Sequence, residues 1–286
     1  MIDFAIEQFE SEQSCTEFIF RSKWPEGYQC SRCGSGDYYT ITSRRLPLFE
    51  CRNCNYQASL LTGTIMEGSR TSLPKWFTAI GLVTRERGIS ALELCKIIEV
   101  TYKTAWLILH KIRCAMSLSE GETVLCGIVR IHAACYGRPH NPSFLHHPQE
   151  HPILVGAMLD GNGLPIRVKF EKVDLADFRG HAVLRSGIAS FQEQFVDSTS
   201  TYDVQSIPAA RFAVKRFPPI LKIARQACSV LNKTYHGLGP KHLQAYLDEF
   251  GYRFNLSLQQ CPPFPSLAKL CLTSSRITYR ALTQCA

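Results

Sequence analysis

The chain has 286 residues, 45% of them hydrophobic and 20% charged, a balance that excludes a disordered chain and, at about 100 to 200 residues per domain, predicts two or three domains. Lysine and arginine total 32 against 24 acidic residues, a formal charge of +8 with the nine histidines neutral. That excess suits a polyanionic partner, nucleic acid first, and no apolar run reaches the roughly 18 to 20 residues that cross a bilayer.

Asp3, Glu7, Glu10, Glu12 and Glu17 crowd the N-terminal stretch, which argues against a secretory leader and for a cytoplasmic chain. The cysteines number 13, an odd count, and four of them fall in two tight pairs. A reducing compartment with a metal site fits that pattern better than disulfides do. Composition then changes twice along the chain, giving three expected segments: 1–63 with a small ribbon, 64–118 as a helical module and 119–286 as a mixed α/β domain.

Residues 24–58 are turn-rich and poor in core formers, so something besides burial must hold them. Cys30, Cys33, Cys51 and Cys54 form C-x2-C, a gap of seventeen residues, and C-x2-C again. Each pair sets two thiolates on one turn, and a hairpin containing Tyr38, Tyr39, Ile41 and Phe49 would bring the pairs around one tetrahedral zinc ion. Four soft thiolates close the coordination sphere, so the expected role is structural. Arg32, Arg44, Arg45 and Arg52 on the same ribbon read equally as phosphate contacts or as solvated charge. The nine remaining cysteines lack ligand spacing and read as small buried hydrophobes.

From Ser72 to Met116 the periodicity is helical. A helix opens at Leu73, Pro74 and Lys75 and puts Trp76, Phe77, Ile80 and Val83 on one face, with Gly88 as its stop. Ser90 to Glu93 match a capping box for a second helix with Leu92, Leu94 and Ile97 as apolar positions. Glu99, Val100 and Thr101 turn into a third helix with Thr101 as N-cap and Ala105, Trp106, Leu109 and Ile112 as core positions. Two short helices across such a turn have the layout of a helix-turn-helix. Tyr102, Lys103 and Thr104 are then the expected groove contacts, with Lys111 and Arg113 further along, against the reading of a plain helical hairpin with a solvated polar face.

Beyond Gly127 short apolar runs read as strands at Val124–Ile131, Pro152–Met158, Ile166–Phe170 and Gln194–Val196, with LDGNGLP at 159–165 as a hairpin turn. Helices return near Pro219, and Lys241–Tyr252 sets Leu243, Tyr246, Leu247 and Phe250 on one face. His140, His146, His147 and His151 are separated irregularly and by prolines, which reads as an exposed loop rather than a second metal site.

Four stretches, Phe9–Gly34, GISALELCKIIEVTYKTAWLILHKIRCAM at 88–116, KTYHGLGPKHLQAYLDEFGYRFN at 233–255 and ITYRAL at 277–282, resemble insertion-sequence transposases of the zinc-ribbon, ISXO-like type. The likeness runs in order over nearly the whole chain. It implies a ribbon and helix-turn-helix that recognise terminal inverted repeats of double-stranded DNA, a ribonuclease-H-like core of the DDE class, and assembly as a homo-oligomer on paired ends. In that class two aspartates and a third Glu or Asn hold two Mg2+ or Mn2+ ions for attack on phosphate.

The chain departs from the family's ligand pattern. His132 falls at the first aspartate, Asp197 in FVDSTSTY matches the second, and Gln226 falls at the third ligand. A neutral imidazole and an amide are poor substitutes for carboxylates toward Mg2+. The expectation is a DNA-binding transposase-family protein with impaired catalysis. The alternatives are an active enzyme completed by Asp160 or Glu249, and a helix-turn-helix regulator built on the same scaffold. Asp160 and Glu249, like Glu171, Asp174, Asp177, Asp203 and Asp248, read more simply as strand-end, turn or helix-surface charges.

Overall fold

The structure is a computed structural model that describes residues 8–137 and 147–284. It divides into two compact units, Met1–Ala115 with Pro263–Cys285, and Met116–Pro262. The division falls between Ala115 and Met116, and the chain returns to the first unit at Pro263.

The first unit opens with α1 (Glu12–Lys23), whose N-cap Ser11 accepts a hydrogen bond from the Ser14 amide. An antiparallel three-stranded ribbon follows, β1 (Tyr38–Ile41), β2 (Leu48–Cys51) and β3 (Gln57–Ser59), with Tyr38 opposite Cys51 and Ile41 opposite Leu48. Its few large side chains gather into one aromatic cluster: Trp24, Tyr28, Tyr38 and Phe49 pack with Phe20 of α1. The Lys23 ammonium donates to the carbonyls of Ser59, Leu60 and Thr62, tying α1 to the end of β3.

The next helices are α2 (Leu73–Val83), α3 (Ala91–Ile97) and α4 (Tyr102–Glu122). In α2, Trp76, Phe77, Ile80 and Val83 are buried, as their spacing requires. The core of the unit is completed from the far end of the chain. Phe264 of α8 (Pro263–Thr273) packs on Phe9 and Phe77, and the Ile65 amide donates to the Cys271 carbonyl. Helix α9 (Tyr279–Gln284) ends the described chain.

The second unit is built on a four-stranded sheet of β4 (Leu125–Tyr136), β5 (His151–Leu159), β6 (Pro165–Lys172) and β9 (Val196–Ile207), in the order β6-β5-β4-β9. The first three form an antiparallel meander, and β9 lies parallel to β4. Between β6 and β9 come a two-stranded ribbon, β7 (Phe178–Arg179) and β8 (Ala182–Val183), and helix α5 (Arg185–Phe195). Helices α6 (Pro218–Tyr235) and α7 (Leu243–Leu258) follow β9. The sheet is covered on both faces. Ala134, Tyr136, Val155, Val168 and Phe170 pack with residues of α6 and α7, whereas Val129, Ile131, Ala133 and Leu154 pack with Phe191 and Phe195 of α5. Gly156 permits the second packing, because a Cβ there would lie 2.7 Å from the Phe191 ring and 2.9 Å from Leu125 Cδ1.

Helix α7 also seals the outer edge of β6. Asn255 accepts from the Val168 amide at 2.8 Å and donates to its carbonyl at 3.0 Å. Gln244 accepts from the Lys172 amide at 2.7 Å and donates to the Phe170 carbonyl at 2.9 Å. Two amide side chains thus satisfy edge groups that a fifth strand would otherwise pair.

Candidate functional site

The ribbon brings Cys30, Cys33, Cys51 and Cys54 together so that all four sulfurs lie within 4.8 Å of one another. Cys30 Sγ is 3.6 Å from Cys54 Sγ, and Cys33 Sγ is 3.5 Å from Cys51 Sγ. Zn–S bonds of about 2.3 Å in a tetrahedron require S···S edges of about 3.8 Å, so the spacing and the soft donor set fit one zinc ion. Each pair sits on a tight turn closed by a residue in the left-handed region. Gly34 (φ 75°) donates to the Cys30 carbonyl at 2.9 Å, and Asn55 (φ 56°) donates to the Cys51 carbonyl at 3.0 Å.

Burial opposes ionisation of Cys30, yet the amides of Arg32 and Cys33 hold its thiol down, at about 6. The Ser35 amide is the main cause that lowers Cys33. Cys54 accepts from the Tyr56 amide, which lowers it, but burial and the three neighbouring thiols push it up to about 12. Binding of a divalent ion displaces the protons that the metal-free thiols hold.

The turn between α3 and α4 spans residues 98–101 and is held by specific bonds. Ser90 accepts from the Glu93 amide at 3.2 Å, and Thr101 accepts from the Thr104 amide at 3.3 Å. Lys75 reaches from α2 to the carbonyl of Glu99, which has φ 50°. Tyr102 and Lys103 are exposed at the start of α4, and Thr104 is half-buried. Lys111 and Arg113 differ from expectation: both are buried, and Lys111 donates to the Ile65 carbonyl at 2.9 Å. Helix α4 is covered around much of its circumference there, so these two cations face the interior rather than a groove. Among the ribbon arginines, Arg45 pairs with Glu12 and Arg52 stacks over Tyr39, while Arg32 and Arg44 are exposed.

Residues 10–57 match the transposase zinc-ribbon domain. The matched segment contains all four thiols and the aromatic cluster that supports them. The chain is also similar to a protein of Halobacterium salinarum described as an uncharacterized protein in transposable element ISH50, with 29% identity over 102 residues. That similarity covers 35% of this chain and 34% of the relative, so the chain spans about a third of the relative it matches. No solved structure matches.

The three residues that the resemblance puts at metal-ligand positions, His132, Asp197 and Gln226, do not form one cluster. His132 lies near the carboxyl end of β4, opposite Ile207 of β9, whereas Asp197 begins β9 beside the Leu125–Val196 pair. Seven residues of β4, about 23 Å, separate the two levels. Both carboxylate oxygens of Asp197 accept locally, from the Thr199 amide and hydroxyl and from the Ser200 hydroxyl. Those hydroxyls and that amide hold its carboxyl down at about 2. Gln226 is exposed on α6. This trio does not fit a pair of divalent ions.

The alternative acids are also engaged. Asp160 accepts from the Asn162 and Leu164 amides in the β5–β6 turn. Glu249, expected on a helix surface, is buried and pairs with Arg253 and the Tyr235 hydroxyl. Asp203 pairs with Arg130. His140 and His146 lie outside the described residues; His151 stacks on Tyr136.

Sequence reading missed two polar groupings in the second unit because their members are far apart along the chain. Glu120, Lys169, Glu171, Gln244 and Asp248 line one small cavity, with Lys169 ion-paired to Glu120 at 3.3 Å. A larger cavity of about 450 Å3 lies around His132, lined also by Glu150, Arg211, Arg216 and Arg225. Among the described residues no helix is long and apolar enough to cross a membrane.

Proposed function

We propose that this chain is a transposase-family protein that binds double-stranded DNA at the terminal repeats of an insertion sequence. The observation that carries the reading is the transposase zinc-ribbon match over residues 10–57, on a segment whose four thiols have tetrahedral spacing. The ribbon and the α3–turn–α4 module form the DNA-binding part, with Tyr102, Lys103 and Thr104 at the groove-facing start of the second helix. The sheet order, an antiparallel meander joined by a strand parallel to its first member, supports a ribonuclease-H-like core. The protein acts as a homo-oligomer on paired ends in the cytoplasm of a prokaryotic cell.

This core is catalytically impaired. Two divalent ions about 3.5 to 4 Å apart need several carboxylates to offset their repulsion, and Asp197 is the one matched carboxylate. Asp197 and His132 stand at levels of the sheet seven residues apart, so they cannot share a pair of ions.

The test compares binding of zinc-loaded protein to duplexes carrying the element's ends and to scrambled duplexes of equal length. Lys103→Ala is expected to weaken end binding several-fold at moderate salt with an unchanged melting temperature. Equal affinity for ends and scrambled DNA would refute recognition of the repeats, and footprints at a promoter instead would favour the regulator. Mg2+- or Mn2+-dependent cleavage of end DNA that disappears in Asp197→Ala would refute the impaired core.

A further inference from the structure

Strands β4 and β9 run parallel, and the cavity around His132 opens toward the ends of both, lined by Tyr136 at the end of β4, by Gly137 just after it and by Ala210 and Arg211 after β9. Crevices outside the carboxyl ends of strands are where open α/β sheets hold ligands. At about 450 Å3 the cavity falls in the size range of small-molecule sites.

Its polar groups have a definite arrangement. The imidazole of His132 is 1% exposed, and its Nδ1 lies 2.7 Å from the Ala133 carbonyl. A carbonyl only accepts, so Nδ1 carries the proton, and in the neutral ring Nε2 presents a lone pair. That buried Nε2 has no partner among the described residues. Burial is the main reason the ring stays neutral; the Ala133 carbonyl works the other way, and Arg216 adds to the effect of burial. Glu150 is paired with Arg211 and so is already neutralised. Arg216 donates its Nε to the Ala213 carbonyl at 3.2 Å, which leaves the ends of its guanidinium and that of Arg225 for a ligand. The cavity thus offers two unneutralised guanidiniums for anionic oxygens and one buried acceptor that needs a proton donor.

We infer that this cavity binds a phosphate monoester without a divalent cation. Arg216 and Arg225 take the anionic oxygens, and one proton lies between a third oxygen and His132 Nε2. A phosphodiester anion has no such proton to share, which makes the monoester the preferred ligand. A free nucleotide and the 5′-phosphate of a DNA end present this same group.

The experiment is calorimetric titration of the zinc-loaded full chain in buffer without Mg2+ or Mn2+. The probes are thymidine 5′-monophosphate, thymidine, dimethyl phosphate, and one duplex with either a 5′-phosphate or a 5′-hydroxyl. The expected result is binding of the monophosphate, with at least tenfold weaker binding of thymidine and of dimethyl phosphate. Arg216→Gln with Arg225→Gln, both at exposed positions, is expected to weaken the monophosphate at least tenfold while preserving the melting temperature. His132→Asn is the second variant and is expected to reduce the preference for monoester over diester.

A 5′-phosphate duplex that binds at least tenfold tighter than its 5′-hydroxyl counterpart identifies a DNA end as the source. Equal binding of the two duplexes, with the nucleotide still bound, identifies the free compound. Failure of every monoester to bind, binding unchanged in the double arginine variant, or binding that requires Mg2+ would overturn the proposal. The hydroxyl-ended duplex reports on the ribbon and α4 alone, so loss of the monoester site and loss of terminal-repeat recognition read out separately.

Discussion

Burial acts on individual carboxylates in ways their neighbours in sequence do not announce. Glu171 ends β6 in the cavity beside Asp248; burial is the main cause that pushes its carboxyl up to about 7, Asp248 adds to it and Lys172 opposes it. Asp248 is itself raised to about 6, again chiefly by burial. A raised folded value means that between about pH 4 and pH 7 the folded chain holds a proton the unfolded chain has released. Stability from this group therefore falls as pH rises through that window. Glu171→Gln keeps the shape and cannot ionise, so the variant is expected to gain stability relative to wild type between about pH 5 and about pH 8, measured by urea unfolding at each pH. A constant difference between the two proteins would show that Glu171 ionises normally. Lys111 and Arg113 teach the same lesson from the other side. Their helical register is what a groove-reading helix would have, but register is shared with interior positions, and only the packing around α4 shows that they are covered.

At the scale of elements, the sequence was most informative where physics is local. Two C-x2-C pairs, the Ser90 cap, the Thr101 cap and the Asp160 hairpin turn depend on residues within a few positions of each other, and each is found as expected. The strand expected at Gln194–Val196 was misjudged. A helix occupies Arg185–Phe195, and the polar stretch VDSTSTYDVQSI forms β9, because its pairing with β4 outweighs weak local preference. The metal site carries its own test. A strong chelator is expected to release one zinc per chain and to remove hydrogen-exchange protection from the ribbon at 24–58, while β4 to β6 stay protected. Retained ribbon protection in metal-free protein would show that the aromatic cluster suffices without the ion.

The seal on β6 makes a second element-scale prediction. Asn255→Ala leaves the Val168 amide and carbonyl without their partners and removes a hydrogen bond to Glu120. Unsatisfied buried polar groups cost about 1 to 3 kcal/mol each, so a loss of about 2 to 4 kcal/mol is expected by urea unfolding, with faster exchange of the Val168 amide. A change below about 0.5 kcal/mol would mean that water replaces the side chain at no cost.

For the whole molecule, the three-segment order read from composition followed the chain, but contacts do not. Nothing in the periodicity of residues 263–284 tells which core they complete, since an amphipathic helix fits any apolar surface of the right width. The structure assigns α8 to the unit of the ribbon and α2. A chain ending at Pro262 is therefore expected to expose Phe9 and Phe77 and to lose cooperative unfolding of α1 and α2, while the sheet unit keeps its protection pattern. Hydrogen exchange of residues 73–83 checks this, and protection equal to that of the full chain would contradict it.

The stack of Phe9, Phe77 and Phe264 also sets an order in time. A ribosome delivers the four cysteines close together and ahead of the sheet unit, so the ribbon can close on its metal before that unit is made. Phe264 arrives only after the entire sheet unit has been synthesised. A chain that stops before Phe264 therefore carries all four cysteines, while Phe9 and Phe77 lack the ring that packs on them.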